Sequence, residues 1–150
     1  MQHFIIDTSV IVWAFIEDSQ TPRVRQLLEE AEKGKIVLIA PGLLWCEFYS
    51  VITRKYKDDI TALKFIEAFE LLISEDTIKI IEDRVTKQAL KIAHTRADGQ
   101  EGHIGPNDAY FHAVAVEYDS VFLTNDKKHY KKTIDSIGHI MLFEDLKLPA

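Results

Sequence analysis

One cysteine, Cys46, is present in 150 residues, so the chain has no internal disulfide framework, and a reducing compartment such as the cytoplasm is expected. The apolar residues beside it predict a buried, inert thiol. With six glycines and four prolines, the chain contains no low-complexity tract, repeat or linker, and a single domain spanning residues 1–150 is expected. No run approaches the roughly 20 apolar residues of a membrane span. Met1 leads straight into a predicted strand, without a basic region or cleavage site, so no signal peptide is expected. Positive charge is also scarce: 18 Lys and Arg against 24 Asp and Glu give a net charge of −6. That balance argues against coating nucleic acid by bulk attraction. It leaves room for an enzyme that concentrates acids in one cleft.

The stretch Phe4 to Val12, FIIDTSVIV, organises the rest. Phe4, Ile5 and Ile6 read as a strand buried on both faces, followed by a mostly apolar helix over Val10 to Ile16. A second helix starts near Ser19, Thr21 and Pro22 and runs to about Gly34. Strands are predicted at Ile36 to Ile39, Ile78 to Ile81, Val121 to Thr124 and Ile140 to Phe143. Helices are predicted from Leu43 to Ile52, Ile60 to Ile73, Val85 to Ala97, from Pro106 onward, and after Asn125 and Asp126. Asp98 to Gly105 reads as a loop. Strands alternating with helices imply a parallel sheet covered by helices.

Four carboxylates share one address in this pattern. Asp7 ends the first strand, Asp126 follows the fourth, Asp108 lies in the first turn of the helix before it, and Glu47 lies early in the helix after the second strand. All belong near the carboxyl edge of the sheet, where open α/β folds bind ligands. Taken singly, Asp7 and Asp126 are also good helix caps, and Asp108 complements a helix dipole. Glu47 borders an apolar stripe, where a carboxylate needs a partner or a metal. Two like charges about 4 Å apart repel by about 4 kcal/mol at an effective dielectric near 20, so a converging cluster calls for a divalent cation. Oxygen ligands without a nearby Cys or His pair select Mg²⁺ or Mn²⁺ over Zn²⁺.

Through IIDTSV at Asp7, LWCEF at Glu47, NDAYFHAVA at Asp108 and LTND at Asp126, the chain resembles the PIN-domain ribonucleases, and among them the VapC-like toxins of toxin–antitoxin pairs. The resemblance covers nearly its whole length. It implies a three-layer α/β/α fold with a five-stranded parallel sheet in the order 3-2-1-4-5. It also implies an RNA substrate, and one or two Mg²⁺ or Mn²⁺ ions held by Asp7, Glu47, Asp108 and Asp126. Thr8, Ser9 and Thr124 match the hydroxyl residues the family carries near its first and fourth acids, and Asn125 is given a supporting role. A small antitoxin laying a peptide over the site is a further implication.

RNA needs cations on its path. Lys127, Lys128 and Arg54 are the candidates for phosphate contact, although charge runs of this kind are ordinarily solvated helix faces. His112, His129 and His103 are expected to serve packing, surface or loop roles. The apolar faces of the third and fourth helices suit a two-fold homodimer. Three other readings compete. A phosphoacceptor signalling domain fits poorly, because it requires an acceptor Asp ending strand three and a lysine ending strand five. A catalytically silent scaffold is disfavoured by the intact acidic quartet. A DNA nuclease shares the chemistry, because a preference for the 2′-hydroxyl is not written in these residues.

Overall fold

The computed structural model describes residues 1–82, 84–95 and 104–148. Its elements are β1 (Gln2–Ile6), α1 (Thr8–Ile11), a 3-10 turn (Val12–Ala14), α2 (Thr21–Glu32), β2 (Ile36–Pro41), α3 (Leu43–Lys55) and α4 (Asp59–Ser74). There follow β3 (Ile78–Ile81), α5 (Thr86–Ala93), α6 (Pro106–Glu117), β4 (Val121–Thr124), α7 (Lys127–Thr133), β5 (Ile140–Leu142) and a closing 3-10 turn (Phe143–Asp145).

The five strands form one sheet in the order β3-β2-β1-β4-β5, as expected. Every pairing is parallel, with Phe4 opposite both Leu38 and Val121. A parallel sheet is covered on both faces, which is why β1 reads as an apolar run from Phe4 to Ile6 rather than an alternation, after the exposed Gln2 and His3 at its start. Ile5 and Ile6 are fully buried. On one side Phe48 of α3 stacks on Phe69 of α4 at 4.0 Å between ring centroids, with Phe15 set edge-on to Phe48 at 5.0 Å. The alanines of α6, Ala109, Ala113 and Ala115, are all buried, and these small side chains let the helix lie close to β1, β2 and β4.

Several boundaries differ from the sequence expectation. The apolar helix predicted to reach Ile16 leaves α geometry after Ile11, where consecutive β-branched and aromatic residues crowd the turn. Strand β2 continues to Pro41, which pairs with Ile81 as the last residue of the ladder. Helix α4 starts at Asp59, because Asp58 accepts the Thr61 N–H at 2.9 Å and caps it. Helix α5 ends at Ala93, short of the expected Ala97, and residues 96 and 97 lie outside the described set. So do His103 and most of the predicted Asp98 to Gly105 loop.

Cys46 corrects a stronger expectation: its thiol is exposed. The buried stripe of α3 is Leu44, Phe48 and Ile52, spaced four residues apart, and Cys46 falls on another face of the helix. Apolar neighbours in sequence are not neighbours on a helix surface. On helix α4 only Ala62 and Phe69 are buried, while Ile60, Leu63 and Leu71 stay exposed. Among the described residues, no helix is long and apolar enough to cross a membrane.

Candidate active site at the carboxyl edge of the sheet

The carboxyl ends of β1 and β4 lie side by side, because Ile6 pairs with Leu123. The chain leaves β1 at Asp7 and β4 at Thr124, Asn125 and Asp126, so two acids reach one edge by topology alone. Helices α3 and α6 bring the others. Asp7, Glu47, Asp108 and Asp126 all line one cleft of about 470 Å³. Arg54 lines it too, the only Lys or Arg among the described lining residues. On α3, Glu47, Ser50 and Arg54 are three and four residues apart, so they share a face beside the buried stripe.

Asp7 is only 4% exposed, and it makes no side-chain cap to α1 despite its N-cap position. Its Oδ2 instead accepts two hydroxyl hydrogens, from Thr124 at 2.6 Å and from Ser9 at 2.8 Å. Burial nevertheless dominates. It pushes the carboxyl up to about 6, against the two hydroxyls and with a smaller push from Glu47. Asp108 is raised further, to about 7, first by burial and then by repulsion from Asp7, Glu47 and Asp126. Asp108 therefore feels all three other acids, although they are delivered by different elements.

The neighbouring hydroxyls and amides hold the acids in place. Thr8 donates to Glu47 Oε1 at 2.7 Å, which ties α1 to α3. Asp126 caps α7 by accepting the His129 N–H on Oδ1 at 3.0 Å, and its own N–H is held by Thr124 Oγ1 at 3.1 Å. The capping role and a role in the cleft coexist, because a carboxylate has two oxygens. Asn125 donates from its backbone to Ser9 Oγ at 3.1 Å and from Nδ2 to the Ser9 carbonyl at 2.8 Å, which fixes the β4 exit against α1.

Of the lysines singled out in the sequence, neither lines the cleft. Lys127 pairs with Glu144 at 3.5 Å and borders a neighbouring cavity, and Lys128 borders a smaller one that shares Asp126 with the cleft. His112 and His129 are buried and hydrogen-bonded to each other at 2.9 Å, a packing role as expected. Gln20 was not legible as a site residue. It exchanges hydrogen bonds with the Asn125 amide across 105 positions of sequence, and no local signal marks such a pair.

The donor set is all oxygen, which suits a hard divalent cation. Among the described residues, no three His, Cys, Asp or Glu side chains are gathered tightly enough to hold an ion as they stand. Burial and then repulsion from the other acids raise Asp108, and a bound cation would relieve that repulsion.

A parallel sheet with acids facing one cleft at its carboxyl edge defines an α/β protein whose ligand site lies at that edge. The match to the PIN domain family model over residues 4–134 shows that the chain belongs to that family, whose members are nucleases that generally use divalent metal ions. The fold is shared with PAE2754 from Pyrobaculum aerophilum, at 17% identity and a TM-score of 0.66, over 95% of this chain and 92% of that one. It is also shared with VapBC2 from Rickettsia felis, solved bound to a DNA fragment from its promoter, at 16% identity and a TM-score of 0.63, over 94% of this chain and 97% of that one. No curated protein sequence matches the chain.

Proposed function

We propose that the protein is a Mg²⁺- or Mn²⁺-dependent endoribonuclease that hydrolyses RNA phosphodiester bonds and serves as the toxin of a VapBC-type toxin–antitoxin pair. The observation that carries this reading is the convergence of Asp7, Glu47, Asp108 and Asp126 on one cleft, where burial first and then repulsion from the other three acids push Asp108 up. Such stored repulsion is what one or two bound cations relieve, and Asp7, Glu47, Asp108 and Asp126 are the residues that would hold them. When bound, a divalent cation supplies a water of lowered pKa and neutralises charge on the scissile phosphate. The chain's own residues do the rest. Asp7 and Asp108 would be the principal ligands, Asp126 would contribute beside its capping role, and Glu47, steadied by Thr8, would orient water or complete the shell. Ser9 and Thr124 keep the Asp7 carboxylate aimed, and Asn125 fixes the turn that delivers Asp126. Arg54 meets the phosphate in the cleft, with Lys128 further along the RNA path, while Lys127 is engaged by Glu144.

The likeness to an assembly that pairs a VapC-type chain with its partner supports a small antitoxin as regulator, seated over the cleft. Exposed Ile60, Leu63 and Leu71 on α4 support a homodimer, and the lone cysteine supports a cytoplasmic location. Incubation with Mn²⁺ and labelled single-stranded RNA or DNA tests the activity. RNA cleavage that disappears with chelator and with Asp108→Asn is the expected result. Preferential cleavage of DNA would transfer the same chemistry to the second reading, a DNA nuclease.

A further inference from the structure

Next to the acidic cleft, and sharing Ser9 and Val12 with it, lies a second cavity of about 360 Å³. Ser9 donates to Asp7, so the boundary between the two cavities is within one side chain of the acids. Half-buried Trp13 forms part of the lining, carried there by the 3-10 turn that interrupts the helical run after β1. Gln20 and Asn125 form another part. Their carboxamides are paired edge to edge, Gln20 Nε2 donating to Asn125 Oδ1 at 3.2 Å and Asn125 Nδ2 donating to Gln20 Oε1 at 2.9 Å.

The hydrogen-bond balance of that pair is informative. Asn125 spends its other amide hydrogen on the Ser9 carbonyl, so both of its donors are used. Gln20 spends one hydrogen and accepts one, which leaves an amide N–H and a lone pair facing no described protein partner. Its rotamer is fixed before any ligand arrives, so presenting those atoms costs little ordering entropy. The charge of the cavity is equally informative. Lys127 is neutralised by Glu144, and Asp18 adds a further carboxylate, so the lining is rich in acceptors and unsuited to a phosphate. An aromatic plate, a fixed amide and surplus acceptors suit a flat neutral ring with N–H donors on its edge.

Resting on the nuclease reading above, we propose that this cavity takes the unstacked nucleobase of a nucleotide adjoining the scissile phosphate, with Trp13 stacking on the ring and Gln20 reading its edge. The size agrees, since ligand pockets begin at about 300 Å³. Substrate choice is then set at Trp13 and Gln20, outside the acidic quartet.

The test uses a single-stranded RNA cut at one mapped bond, and the same RNA with an abasic nucleotide on either side of that bond. The intact protein should prefer the base-bearing RNA to one of the abasic forms by about tenfold to a hundredfold in kcat/KM, the range for loss of one stacked base. Trp13→Ala should erase that preference by slowing only the base-bearing substrate, and Trp13→Phe should restore most of it. Because Trp13 also packs on the core, Gln20→Ala provides a second reading on a folded protein, with a smaller loss and an altered order of preference among the four bases. Affinity measured in cleavage-dead Asp108→Asn separates the two ideas. Base-bearing and abasic RNA bound equally, or slowed equally by Trp13→Ala, overturns the base pocket. Discrimination in binding without any cleavage by the wild type upholds the pocket and overturns the nuclease reading. Variants that lose only a protein partner, with RNA cleavage unchanged, overturn the base pocket and leave the nuclease reading standing.

Discussion

The ring nitrogens of His112 and His129 meet in the interior, Nδ1 to Nε2, at 2.9 Å. The other nitrogen of His112 lies 2.7 Å from the Gly138 carbonyl, which can only accept, so His112 carries its proton on Nε2 and receives one from His129. The remaining nitrogen of His129 is then a buried lone pair without a partner among the described residues. The pair joins α6, which carries Asp108, to α7, which Asp126 caps.

Both imidazoles are held neutral, His112 below its ordinary value by burial and His129 down to about 4 by burial and by His112. The unfolded chain takes up these protons near pH 6.5 while the folded chain resists. Stability from the pair is therefore present above about pH 6.5 and lost as pH falls toward 4, up to about 3 kcal/mol for His129. Melting temperature followed from pH 7 to 4 should fall more steeply in the wild type than in a His112→Phe/His129→Phe double variant. At pH 7, His112→Phe alone should cost about 1 to 3 kcal/mol, because it strands the Gly138 carbonyl and the His129 N–H. Parallel slopes in the two proteins would refute this account.

The acids carry the opposite sign. Folded values of about 6 for Asp7 and about 7 for Asp108 lie above the ordinary 3.8, so their contribution is present below about pH 4 and lost as pH rises through 6 to 7. Without metal, Asp108→Asn should melt above the wild type at pH 8, by a few degrees, and match it near pH 4. Calorimetry in chelator checks this. A variant less stable at pH 8 would show that the cleft acids do not oppose one another.

Protons and cations compete for the same oxygens. Calorimetric Mn²⁺ titration should show affinity falling at least about tenfold between pH 7.5 and 5.5, with Asp7→Asn and Asp108→Asn weak at both. Both variants should lose RNA cleavage by about a hundredfold or more, a size typical of losing a group that stabilises transition-state charge. Full activity in either folded variant would remove the site assignment.

Thr124 holds two acids at once, donating to Asp7 and accepting from the Asp126 N–H. Thr124→Val keeps the shape and deletes both bonds. Metal affinity should drop about tenfold to a hundredfold, the usual cost of removing a group that orients a ligand, while the fold survives. A Mn²⁺ isotherm unchanged from the wild type would reduce Thr124 to a packing residue.

Arg54 is the only Lys or Arg among the described residues lining the cleft. Arg54→Ala should raise KM for RNA severalfold with kcat nearly constant, and should flatten the dependence of KM on salt. A change confined to kcat would place the guanidinium in the chemistry instead of in substrate binding.

The strand limits of β3 and β4 and the addresses of the four acids were legible because each rests on a local pattern, whereas the sheet order came only from the family resemblance. An apolar run of strand length ends in a carboxylate, and a proline opens the next helix. The exposed Cys46 was misread for a related reason: a run of apolar neighbours says which residues are hydrophobic, while helical rotation decides which of them turn inward. The early end of the first helix was hidden because crowding among Val10, Ile11, Val12 and Trp13 is a matter of packing, not of hydrophobicity.

By itself, the sequence determined that this chain alternates strands and helices, and that its acids sit where strands end and helices begin. Those are properties of neighbours in the chain, set by periodicity and capping. Only the tertiary structure decided that Thr124 reaches back across 117 positions to Asp7, that Arg54 and not Lys127 lines the acids, and that Gln20 meets Asn125 beside Trp13. Such pairings depend on how parallel strands and helices stack in space, and distance along the chain carries no record of it.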